Sequence, residues 1–113
     1  MTENNFKISP EQIKDIIKPM GFCMVSNKIT VDGEKVGFMY REKPDIDITV
    51  DSGWRFLSGT EDDDYMDDPD NSTICDVNTV ANYDQAIIPY LDRPVGTEME
   101  RVEGKDEFRI IPD

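Results

Sequence analysis

The sequence contains no histidine. That removes the usual general base, because neither a Ser-His nor a Cys-His pair can form. It also removes the commonest nitrogen ligand of zinc and other transition metals. Cysteine is scarce. Cys23 and Cys75 lie far apart with no CxxC spacing, and apolar neighbours (Phe22 and Met24; Ile74) mark both as reduced thiols serving as small hydrophobes. Cations are in deficit, with 12 Lys and Arg against 25 Asp and Glu and a net charge of -13. Such a surface repels nucleic acid and anionic membranes and favours basic partners or cations. No apolar run approaches the roughly 20 residues that span a bilayer. The opening MTENNFKISPEQ has no apolar segment and no basic start, so no signal peptide is expected and the cytoplasm is the expected location. Gly33, Gly37, Gly53 and Gly59 lack the spacing of a phosphate-binding loop.

A chain of 113 residues is expected to be one domain over residues 1–113, with residues 1–7 as a loose polar lead. At this length roughly two-thirds of the unfolded surface can be buried, so no disulfide or metal staple is required. Phe22, Phe38, Tyr40, Trp54, Phe56 and Phe108 fall within apolar runs, which argues for a packed core rather than disorder.

Ser9-Pro10-Glu11-Gln12 has the form of a helix start: a hydroxyl N-cap, proline at the first helical position and a capping-box Gln. Ile13, Ile16, Ile17 and Met20 continue it at helical spacing, until Pro19 and Gly21 end it near residues 18–20. The period then changes. Phe22–Ser26 reads as a strand. Residues 29–31 and 35–41 read as hairpin arms around Asp32-Gly33. After Pro44, Ile46, Ile48 and Val50 alternate as an edge strand or extended loop. Ser52–Leu57 reads as a strand with Trp54 and Phe56 on one face and Arg55 and Leu57 on the other. Residues 74–77 form a brief strand, and Asn78 or Thr79 can cap a helical turn at Val80–Tyr83. Asp84 can cap another, which Pro89 keeps short. Residues 97–102 and 107–111 read as a terminal hairpin. No repeat or Gly/Ser linker divides the chain. The expected class is α+β: an N-terminal helix followed by a twisted, mainly antiparallel sheet with short helical turns.

One segment stands out. Glu61, Asp62, Asp63, Asp64, Asp67, Asp68 and Asp70 crowd ten positions with no Lys or Arg among them. An EF-hand loop needs Gly at its sixth position and Glu at its twelfth. A loop starting at Asp62 offers Asp67 and Thr73 there, and one starting at Asp68 offers Thr73 and Thr79. A carboxylate pair can hydrolyse glycosides, but adjacent carboxylates in a polar segment are ordinarily solvated. No catalytic, metal or cofactor residue is therefore expected, and the chain reads as a non-enzyme. Strand-like flanks, with Tyr65 and Met66 inside the run, favour an ordered, partly mobile acidic loop over a disordered tail. Clustered charge steers a basic protein partner. Tight binding also needs a desolvated anchor, for which Trp54, Arg55, Tyr65 and Tyr83 are candidates, although Trp54 and Phe56 are expected first as core. The candidate partner surface is therefore Glu61–Tyr65, Asp67, Asp68, Asp70, Arg55 and Tyr83, on a monomer or weak homodimer. The alternative is a structural or sensory domain whose acidic loop binds calcium weakly.

Several words in fixed order resemble a known family: Phe38-Met39-Tyr40-Arg41-Glu42, the run from Asp51 to Gly59, Asp62–Asp67, Asp76-Val77-Asn78-Thr79, Tyr83-Asp84 and Ile87-Ile88-Pro89. Across residues 22–103 the chain is similar to the bacterial immunity protein 33 domain family, first described as a domain of unknown function. It departs from that family at Ile46-Asp47-Ile48-Thr49, which is more strand-like than the short polar loop of that position. The resemblance implies a small α+β, non-enzymatic protein that neutralises a toxin of a polymorphic or contact-dependent system. A nucleic-acid-cutting toxin carries a basic cleft, and carboxylates spaced like phosphates can fill it.

Overall fold

The structure, a computed structural model, describes residues 6–44 and 50–112. Its strands are β1 (Phe22–Ser26), β2 (Phe38–Arg41), β3 (Asp51–Leu57), β4 (Ser72–Asp76), β5 (Glu98–Arg101) and β6 (Phe108–Ile110). Its helices are α1 (Asn27–Thr30), α2 (Asp63–Asp67) and α3 (Val77–Tyr83), with 3-10 turns at Pro10–Gln12, Pro69–Asn71 and Gln85–Tyr90. The strands form one sheet in the order β4-β1-β3-β2-β5-β6. The pair β1–β3 is parallel and every other pair is antiparallel, so the sheet is mixed. A parallel pair needs a crossover, and α1 with β2 supplies it.

Strand alternation sorts the two faces. Cys23, Val25, Met39, Trp54, Phe56 and Met99 are buried, and they form the core with Ile29, Val77, Val80, Ala81, Ile87 and Leu91 from the helical layer and Val36 from the segment before β2. Trp54 and Phe56 stack at 5.9 Å, and the Trp54 indole N–H donates to the Leu91 carbonyl at 3.2 Å. Both are core residues, as the alternation in β3 predicts. Helices α1 and α3 and the turn Gln85–Tyr90 pack on this one side, and α2 buries no residue there. On the other side Phe22, Met24 and Ile74 stand exposed, uncovered by any described helix.

The N-terminal helix expected over residues 10–20 is a single 3-10 turn. Its start behaves as the sequence implies: the Gln12 side chain accepts from the Ser9 N–H and hydroxyl. Beyond it, residues 13–20 follow an irregular path. The reason is competition for backbone groups. Asn78 and Asn82 on α3 accept from the N–H groups of Lys14, Ile16 and Ile17 and donate to the Lys14 carbonyl. A helix this short and rich in β-branched Ile nucleates poorly, and the two amides meet the same needs from outside.

The hairpin expected at Asp32-Gly33 is instead the end of α1. Gly33, at φ 79°, donates to the Ile29 carbonyl at 3.1 Å, and the Asp32 N–H reaches the Asn27 carbonyl. A positive-φ glycine serves a helix C-terminus as readily as a hairpin turn. Helix α3 begins at Val77, earlier than a cap at Asn78 or Thr79 would place it, because the Asn78 side chain is committed to residues 14–17. Asp84 caps the 3-10 turn Gln85–Tyr90 by accepting from Ala86 N–H at 3.1 Å, as expected. The terminal hairpin forms as β5–β6. Ile46 and Ile48 lie outside the described residues.

Candidate partner-binding site

The acidic segment folds into two capped turns, each begun by one of its own carboxylates. Asp62 is the N-cap of α2 and accepts from Tyr65 N–H at 2.8 Å. Asp68 caps the following 3-10 turn and accepts from Asp70 N–H at 2.9 Å. Asp63 and Asp64 occupy the first turn of α2, where the helix dipole favours negative charge. The local sequence thus stabilises a turn that self-repulsion alone would open.

Side chains outside the segment hold it in place. The Asn71 amide donates to the Tyr65 carbonyl, and the Asn27 amide to the Asp70 carbonyl at 2.9 Å. Tyr65 is half-buried, with the Lys28 ammonium 5.2 Å from its ring centre. Lys28 itself donates to the carbonyl and hydroxyl of Thr60.

Glu61 behaves differently from its neighbours. Its carboxylate accepts from the Ser58 N–H and hydroxyl and from Gly59 N–H, closing the turn after β3. Partial burial works against its charge. The Ser26 hydroxyl and these Ser58 donors outweigh that and hold its pKa below the ordinary value. Asp63, Asp64, Asp67 and Asp70 stand exposed, and no hydrogen bond or ion pair to another described residue engages their side chains. Among the described residues, no cluster of three or more Cys, Asp or Glu is arranged to hold a metal ion.

Arg55 and Tyr83 do not join this ridge. Tyr83 lies on the helical side, where its hydroxyl accepts from Ile8 N–H at 3.1 Å and anchors the N-terminal segment. Arg55 lies on the opposite sheet face, where it is itself buried at 8% exposure. Asp51 takes its guanidinium bidentately at 3.0 and 2.8 Å, and Glu42 takes its Nε at 2.7 Å. The Asp51 hydrogen bonds raise the Arg55 pKa above its ordinary value, against partial burial. Gly53 makes the clamp possible. It sits at φ 87°, its N–H donates to Asp51, and a Cβ there would lie 2.3 Å from the Glu42 carbonyl oxygen.

Around Arg55 the register lays out a row across five strands: Ile74, Met24, Arg55, Tyr40 and Glu98. Ile74 is 55% exposed, Met24 38% and the adjacent Phe22 37%. The Phe38 and Tyr40 rings sit 5.5 Å apart on the same face. Sequence reasoning singled out Arg55 but missed Met24, Ile74, Glu42 and Asp51. The Asp51–Arg55 spacing was visible, whereas the exposure of Met24 and Ile74 depends on which strands become neighbours.

The model of the immunity protein Imm33 domain family matches residues 23–111. The match spans β1 to β6 and so extends the similarity at residues 22–103 through the terminal hairpin. No curated protein and no solved structure matches the chain.

Proposed function

The chain belongs to the immunity protein Imm33 domain family, and from that premise we propose that it neutralises a basic, toxin-type protein by binding it through the α2 ridge, with no bond made or broken. The observation that carries this reading is the set of exposed carboxylates of Asp63, Asp64, Asp67 and Asp70, fixed in position by capped turns and without internal partners among the described residues. Asp62 and Asp68 add charge while capping, and Tyr65 supplies a half-buried ring at the base of the ridge.

A fixed acidic ridge on a chain of net charge -13 accelerates encounter with a cationic surface by roughly 10- to 1000-fold. It acts within a Debye length of about 8 Å at physiological salt. The same charge disfavours self-association, which supports a monomer or at most a weak homodimer; the proposed place of action is the cytoplasm of the producing cell. None of the described helices is long and apolar enough to cross a membrane.

The test is the association rate with the toxin-type protein encoded beside this chain, followed from about 50 to about 500 mM salt. Replacing Asp62, Asp63 and Asp64 together by Asn is expected to slow association at least about tenfold at the low end and to flatten the salt dependence. A wild-type rate that does not change across that range overturns the ridge as the steering surface.

A further inference from the structure

The ridge explains encounter but not tight binding, which requires a desolvated apolar or aromatic centre. We infer that the uncovered sheet face is that centre: it receives an apolar protrusion on the same basic, toxin-type protein, while the α2 carboxylates and the acidic margin of the face meet the cationic rim around that protrusion. The inference rests on the toxin-binding reading and adds to it the surface that holds the partner.

Four observations converge. The first is exposure, since Phe22, Met24 and Ile74 form one apolar patch at the β1–β4 end of the sheet. Met24 and Ile74 are direct register partners, and Phe22 stands two residues from Met24 on the same side. The second is charge. The patch and its aromatic neighbours are bounded by Asp76, Glu42, Glu98 and Glu100, while the cations of this face, Arg55 and Arg109, are paired with carboxylates. A face of this sign repels a second copy of the chain and complements a basic rim.

The third is continuity with the ridge. Strand β4 begins where the acidic turns end, at Ser72, so Ile74 follows directly from the carboxylate segment. At the other end of the ridge a groove of about 430 Å³ joins Phe38 and Leu57 of the sheet face to Glu61 and Met66. The fourth is order. Arg55 is locked by Asp51, Glu42 and the Trp54 carbonyl, and among the described residues no buried side-chain polar atom lacks a partner. Arg55, beside the patch, therefore has few rotamers to lose on binding, which lowers the entropic cost of a contact there.

The test separates this inference from the reading beneath it. Surface-immobilised toxin-type protein encoded beside this chain is titrated with wild type, with the charge-neutral double variant Met24→Thr/Ile74→Thr, and with the Asp62/Asp63/Asp64→Asn variant. The double variant is expected to dissociate at least about tenfold faster with unchanged association and unchanged salt slope. The Asn variant is expected to slow association. Both replaced positions are exposed and β-compatible, and hydrogen exchange on the wild-type complex gives a readout that needs no mutation: amides of β4 and β1 become slower to exchange. Unchanged dissociation of the double variant, or protection confined to α2, overturns the sheet face and leaves the ridge standing. Loss of the Asn effect alone removes the ridge and leaves the sheet face. A wild-type dimer that the double variant converts to monomer assigns the patch to a second copy and overturns the inference. No binding by wild type brings down both.

Discussion

Cys23 and Cys75 face each other across the antiparallel pair β1–β4. Val77 N–H donates to the Gly21 carbonyl two residues along the same ladder, and the two kinds of pair alternate, so the cysteines occupy a hydrogen-bonded position, where Cα atoms sit about 5.5 Å apart. The two thiols share one side of the sheet but not one environment. Cys23 is fully buried, whereas Cys75 is half-buried and lines an apolar cavity of about 310 Å³ with Phe6, Ile8 and Tyr83. Burial, and then the neighbouring Cys75, push the Cys23 thiol well above its ordinary pKa.

The thiolate is the reactive form, so the pair is expected to label in order. Under native conditions at mildly alkaline pH, iodoacetamide modifies Cys75 first and Cys23 at least about tenfold more slowly, the two rates converging in denaturant. Mass spectrometry of the two peptides reads this directly. Native labelling of Cys23 as fast as Cys75 contradicts the packing of β1 against α3.

Asp84 concentrates more structure than any residue of the acidic ridge. It is 3% exposed, and its carboxylate accepts from Val36 N–H, from Ala86 N–H and from the Arg101 guanidinium. Arg101 also donates to the Val36 carbonyl and lies 4.9 Å from the Phe108 ring centre, so this one pair ties the 3-10 turn, the segment before β2 and the terminal hairpin together. Removing one partner of a buried pair leaves the other uncompensated. Asp84→Ala is expected to cost about 3–5 kcal/mol in urea unfolding. Asp84→Asn keeps the shape and some of the hydrogen bonds and costs less. A loss under about 1 kcal/mol for Asp84→Ala would mean that the pair is not buried in solution.

These residues show where a sequence speaks and where it does not. Trp54 and Phe56 announce the core because a strand has period two, and Asp84 announces a cap because it stands just before a short helical turn. Positive-φ glycines are visible too, but Gly33 shows that a glycine marks a conformation without naming the element that uses it. The Ile13–Met20 periodicity is present in the chain, yet a short segment obeys it only if nothing else offers to satisfy its backbone, and Asn78 and Asn82 do. The Cys23–Cys75 and Met24–Ile74 pairings depend on β4 lying beside β1, a long-range register that no local pattern encodes.

The asparagine clamp has a measurable consequence. Asn78→Ala removes the acceptor for Ile16 and Ile17 N–H, and Asn82→Ala the acceptor for Lys14 N–H. Each is expected to lower global stability by about 1 kcal/mol, the net value of a partly exposed hydrogen bond. Each should also speed amide exchange at its own positions in the 14–17 segment by more than at β3, whose amides report only the global loss. Equal acceleration throughout the sheet would show that the N-terminal segment is part of the cooperative core rather than a strap held by two side chains.

Glu61 sets an acid limb on the stability curve. Its folded pKa lies below its unfolded value of about 4.3, so the unfolded state takes up a proton first as pH falls. The stabilisation is therefore complete above the ordinary carboxylate range and is lost as pH drops through the lower folded value. Glu61→Gln has no charge to titrate, and every other carboxylate is common to both proteins. The gap in urea midpoint between wild type and Glu61→Gln is expected to be constant from about pH 7 to about pH 5 and to close progressively below about pH 4. The gap is small because the side chain is only partly buried. Its sign is decisive, since a gap that widens on acidification would mean that burial outweighs the Ser26 and Ser58 donors and that the turn after β3, which aims the acidic ridge, is closed by something other than this carboxylate.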